Sequence, residues 1–250
     1  MLGQSYAPTA TTQSKFYLGM AIAATTVVLG GFAPTYYLRP IAHVIRYPSG
    51  QVVSSTLPLL IHVHALVSTA WLLLLITQTL LVAADRVGTH RKLGVAGAGL
   101  GFALVVLGVL TALRGARDGW NPGGPFRDSI GFLAVTLGDV FLFSSFVAAA
   151  LYYRRRPDWH KRFMLLGTLA GLMWPAITRM PLIAPHPGRM FGLLIALVVA
   201  LPIRDYVTRR RLHPASTWGA IAILLSFPVR VAIGNSVVWH MLASRIISPS

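Results

Sequence analysis

The feature that most constrains this chain is a recurrence. Seven times, an apolar and nearly uncharged run gives way to a short segment that is basic or rich in Pro and Gly. Backbone in hydrocarbon must satisfy its own hydrogen bonds, so only helices and closed barrels cross a membrane. A bilayer core of about 30 Å takes about 20 helical residues but only about ten in a strand. Runs at approximately 17–38, 58–84, 95–115, 129–153, 163–183, 190–207 and 217–242 therefore predict an all-α, polytopic transmembrane helix bundle. The sixth run is the weakest. Its apolar part, Phe191 to Ile203, contains Pro202, so six spans are the fallback. Residues 1–250 read as one integral membrane domain with a polar tail at 1–16. The run after Lys15 lacks a clear cleavage site and reads as a retained first helix.

Composition agrees. The chain is 55% hydrophobic and 11% charged, against about 25% charged in a soluble domain. The net charge of +16 sits in short clusters between the runs. That pattern fits topology signals and contacts to membrane lipids, and no nucleic-acid-binding motif accompanies it. The densest segments, 85–92, 154–162 and 204–211, follow the second, fourth and sixth runs. The positive-inside rule puts all three in the cytoplasm, with the N-terminus inside and the C-terminus in the periplasm. There is no cysteine, which excludes disulfides, thiolate zinc sites and covalent haem attachment. Any metal or haem would rely on His, Met, Tyr or Asp.

A faint internal repeat joins two of the basic segments. "RVGTHRKLGVAG" begins at Arg86 and "RPDWHKRFMLLG" at Arg156. At an offset of 70, His90 aligns with His160, Lys92 with Arg162 and Gly97 with Gly167. Two related hairpins forming a pseudo-symmetric four-helix core would explain this.

The second run opens "LIHVHALVSTAW". Successive helical residues turn by about 100°, so His62 and His64 point about 160° apart and cannot share one metal on a regular helix. His64 heads a stripe of Ser68, Trp71, Leu75 and Gln78. Unpaired polar groups cost several kcal/mol in lipid, so this stripe should face the bundle interior. His62 should then sit at headgroup level.

Asp139 and Arg230 fall near the middles of the fourth and seventh runs. At about 1.5 Å per residue their depths are about 15 and 18 Å from the same side, which predicts an ion pair. His240 and His64 lie near the outer ends of their runs, and His43 and His186 on outside connections. Gathered together, His62, His64, His186 and His240 would be candidate metal ligands. His64, Trp71, Gln78 and His240 are the candidate ligand-binding residues. His90 and His160 are expected to help start their helices.

The "H-x-H…W…Q" pattern of 62–78 and the "R-x-x-x-H-R-K-L-G" loop of 86–94 resemble a group of uncharacterised bacterial multi-pass inner-membrane proteins. The likeness covers about 58–100 and, through the repeat, 139–167. A remoter similarity is to b561-type membrane cytochromes, in which paired histidines of a four-helix core hold b-type haem. This chain departs from their pairing pattern. The first resemblance implies a bacterial inner-membrane location. Three functional readings follow: an intramembrane His/Gln/Asp/Arg site for a redox ligand (b-type haem, a metal or a quinone), an accessory subunit of a larger membrane complex, or a transporter. No nucleotide-binding loop, serine-hydrolase elbow or zinc-protease motif is present, so the sequence leaves enzymatic activity open.

Overall fold

The computed structural model describes residues 10–42, 56–121 and 124–247. These residues form a helical bundle: α1 (Ala10–Phe32, prolonged by a π-turn at Ala33–Tyr37), α2 (Arg39–Ala42), α3 (Leu59–Ala83), α4 (Val87–Arg117), α5 (Ser129–Tyr152), α6 (Pro157–Ile177), α7 (Pro187–Arg209), α8 (Pro214–Gly234) and α9 (Val237–Ile247). Among the described residues, six helices are long and apolar enough to cross a membrane: α1, α3, α4, α5, α7 and α8.

The helix outside that set, α6, is the centre of the bundle. It packs against α1, α5, α7 and α8. Leu166, Leu169, Met173, Ala176 and Ile177 are all fully enclosed. Its 21 residues reach about 31 Å, enough for a bilayer core. Its first turns carry Asp158, His160, Lys161 and Arg162, which lower its hydropathy. Neighbouring helices, rather than apolar composition, shelter it from lipid.

Start signals explain where the helices begin. Proline occupies the first turn of α6, α7 and α8, where its missing N–H costs nothing. Asp128 caps α5 by accepting from Gly131 N at 2.7 Å. These signals move several expected boundaries. The fifth run begins at Pro157 rather than 163, and the third at Val87 rather than 95. α1 already begins at Ala10, inside the expected polar tail. The seventh run is two helices. α8 ends at Gly234, and Ser236 Oγ restarts the chain by accepting from Trp239 N at 3.2 Å. α9 then folds against the ends of α4 and α5. Arg117 donates to the carbonyls of Ile246 and Ile247, and Trp239 Nε1 donates to Ile130 O at 2.7 Å.

The hairpins α3–α4 and α5–α6 sit side by side, and the rings of His90 and His160 lie 6.2 Å apart. His160 Nδ1 is 2.8 Å from Ala150 O. It therefore ties the start of α6 to the end of α5. The turns α3–α4, α5–α6 and α7–α8 share one end of the bundle, called the basic end below.

Candidate functional site

The core of α3–α6 contains a small crevice lined from all four helices. His64 and Ser68 come from α3, Leu104 and Gly108 from α4, Asp139, Val140 and Phe143 from α5, and Gly171 and Leu172 from α6. Its open space is about 60 Å³, room for about two water molecules. On α3 the two polar residues are one turn apart, which puts both on the inward face. Ser68 Oγ donates to His64 O at 2.7 Å, so the hydroxyl proton is spent within the helix.

Asp139 is held from the far side by α8. Arg230 Nη1 donates to Asp139 Oδ1 at 2.5 Å and to Val135 O at 3.0 Å. Arg230 Nε and Nη2 donate to Ser226 O and Ser226 Oγ at 3.2 and 3.0 Å. Four of its five N–H groups are thus engaged. Gly138 makes this possible: a Cβ there would stand 2.0 Å from Arg230 Cδ. Among the described residues nothing donates to the second carboxylate oxygen, Oδ2. On the opposite wall, His64 Nδ1 is buried with no hydrogen-bond partner. One half-open crevice is therefore lined both by His64, whose Nδ1 has no partner, and by Asp139, whose Oδ2 receives no hydrogen bond.

The other expected site residues have separate surroundings. Trp71 is buried, donates from Nε1 to Thr168 Oγ1 at 3.1 Å and meets Phe143 edge-on. It ties α3 to α6 and does not line the crevice. Gln78 lies toward the basic end beside Gly94, and its Oε1 is buried without a partner. His62 is exposed, with Nδ1 3.2 Å from Tyr36 Oη. His186 is exposed at the N-cap position of α7. His240 Nε2 lies 3.2 Å from both Asp128 carboxylate oxygens, and its Nδ1 is 3.0 Å from Ser236 O. His43 lies outside the described residues.

The candidate ligand-binding residues His64 and His240 stand apart, because the break after Gly234 turns α9 toward Asp128. Among the described residues, no three His or Asp side chains are close enough to hold one metal ion. The fit to b-type haem fails on size as well. The crevice, at about 60 Å³, is far below the roughly 300 Å³ at which drug-sized pockets begin. A quinone ring would likewise need the helices to part, since even benzene takes a cavity of about 150 Å³.

Burial pushes the Asp128 carboxyl up, but the Gly131 N–H and His240 outweigh it and hold the group below the usual carboxylate range. Comparison with family models, curated proteins and solved structures finds no match.

A second buried charge cluster lies at the basic end, where the sequence showed only topology charges. Arg162 of α6 pairs with Asp205 of α7 through both carboxylate oxygens, by Nη2 to Oδ1 and by Nε to Oδ2 at 3.1 Å. Ser216 of α8 donates to Asp205 Oδ2 at 2.5 Å. Arg162 Nη1 donates to Asp158 O at 2.6 Å. One signal was available: Asp205 is the lone acid in an otherwise basic stretch, "RDYVTRRR".

Proposed function

We propose that this integral membrane helix bundle carries a ligand site in its α3–α6 core for a small polar species, water or a hydrated proton, held between His64 and Asp139. The supporting observation is the pairing of an unpartnered His64 Nδ1 with an unpartnered Asp139 Oδ2 around one space of about 60 Å³. Buried polar atoms without partners, such as His64 Nδ1, are rare, so a guest that bonds it and the free Asp139 oxygen is the economical reading. Ionisable groups at membrane depth commonly mark ion or proton routes. This favours the transport reading over a haem-based one. We place the basic end in the cytoplasm of a bacterial inner membrane by the positive-inside rule.

The absence of cysteine makes a clean test available. Ser68→Cys lies in the crevice, while Thr168→Cys lies in packed protein, with Thr168 at 0% exposure. Silver ion, small and thiol-seeking, should react with the first and spare the second. Equal protection of both thiols would remove the wet crevice and the proposal with it.

The accessory-subunit reading keeps one observation in its favour. α3 and α4 are the least sheltered of the six apolar helices, and Leu66, Leu73, Val95 and Phe102 point outward from them. Recovery of the chain only within a larger assembly, after gentle detergent extraction, would favour it.

A further inference from the structure

The α5–α6 turn holds a second cavity, unconnected with the crevice. It is a notch of about 250 Å³ lined by Tyr152, Tyr153, Arg155 and Arg156. The turn is tight, with Arg156 N donating to Tyr153 O at 2.7 Å. Tyr153 is fixed in plane by stacking on Trp159 at 4.9 Å. Arg156 Cζ stands 5.9 Å from the Tyr153 ring centroid. Among the described residues, Arg155 has no hydrogen-bond or ion-pair partner and Arg156 has no carboxylate. The nearest acid in sequence, Asp158, is occupied by Lys161, Arg162 and Arg209. Tyr152 is 79% exposed at the end of a membrane-length helix. Aromatic rings at such ends lie at headgroup depth.

We propose that this notch binds the phosphate of an anionic membrane lipid. Two guanidiniums free of carboxylates supply the charge and the forked donors that suit phosphate. The two phenol hydroxyls supply further donors, and the adjoining helix surface accommodates the acyl chains. The position matters as much as the charge. The Arg209–Arg211 turn is equally basic, but Arg209 is already committed to Asp158.

Native mass spectrometry of the full chain in mild detergent, titrated with phosphatidylglycerol or phosphatidylcholine, tests this. The wild type should retain phosphatidylglycerol over phosphatidylcholine. The double variant Arg155→Gln/Arg156→Gln should lose that preference by about thirtyfold, the scale expected for two surface arginines. Arg210→Gln/Arg211→Gln, the same change of net charge at another turn, should stay close to wild type. Tyr152→Phe, which removes one hydroxyl and leaves packing intact, should weaken retention by a smaller factor. Equal loss in both arginine pairs would reduce the effect to net charge and overturn the site, as would retention unchanged in the notch variants. Inorganic phosphate displacing phosphatidylglycerol at low millimolar concentration would reassign the notch to free phosphate and overturn the lipid.

Discussion

Among the described residues there are two buried Arg–Asp pairs, and they are built differently. Arg162–Asp205 at the basic end is closed. Both carboxylate oxygens are engaged, Ser216 adds a further bond, and Arg162, Asp205 and Ser216 are each at most 2% exposed. Arg230–Asp139 at mid-bundle is open on one side. One oxygen is paired and the other receives no hydrogen bond, and Asp139 lines a crevice together with His64, whose Nδ1 has no partner. Buried charges are costly unless paired and hydrogen-bonded. A closed pair therefore reads as architecture, joining α6, α7 and α8. An open pair retains capacity for something else, and that asymmetry is why the functional reading rests on Asp139.

The largest expected effect breaks the closed pair. Asp205→Ala leaves Arg162 buried without its carboxylate and should cost about 3–5 kcal/mol, read as a large fall in the unfolding midpoint in detergent. Replacing both partners with apolar residues of similar size should recover most of that loss. If it does not, the pair is more than architecture.

Breaking the open pair should cost less where its geometry is kept. Asp139→Asn preserves shape and leaves Arg230 anchored by Val135 and Ser226. We expect a loss of about 1–3 kcal/mol, together with altered silver reactivity at Ser68→Cys. The charge swap, Asp139→Arg with Arg230→Asp, should be better folded than either single variant. No rescue would argue that the two residues act independently.

Gly138→Ala sharpens the comparison without touching a charge. The added methyl overlaps Arg230 Cδ, so the guanidinium must shift away from Asp139. Overpacking of this kind costs about 1–3 kcal/mol. The closed pair should be unaffected, and a circular-dichroism melt should show a modest destabilisation.

The smallest effect lies outside the membrane, at the α5 cap. Asp128 is held below its ordinary value by Gly131 and His240. A carboxylate depressed in the folded state contributes stability above its unfolded value, and loses that contribution as pH falls toward the folded value. Acidification below the usual carboxylate range should therefore lower the melting temperature slightly. Asp128→Ala, which removes the cap at a cost of about 1 kcal/mol, should flatten that part of the profile.

The contrast between the pairs also shows what the sequence could reveal. Asp139 and Arg230 stood alone in apolar runs, so counting residues from the helix ends was enough to match their depths. The inward turn of His64 was equally readable, because helical spacing linked it to Ser68 and Trp71. Arg162 and Asp205 were hidden among other charges, where each resembled a topology signal. Their burial depends on α6 standing at the centre of the bundle, a tertiary fact that its apolar run does not record. The turn of α9 was concealed for a related reason. Gly234–Asn235–Ser236 is a weak break inside a stretch that is apolar on both sides, and its effect is to send His240 to Asp128 instead of toward His64.

On this reading the crevice lined by His64 and Asp139 holds water or its protonated form, whereas the space around Arg162 and Asp205 is filled by protein. A structure of the protein in lipid nanodiscs, at a resolution that shows ordered water, tests this directly. Solvent density should appear within hydrogen-bond reach of His64 Nδ1 and Asp139 Oδ2, and none between Arg162 and Asp205. A collapsed, dry crevice with His64 bonded to a protein group would contradict it.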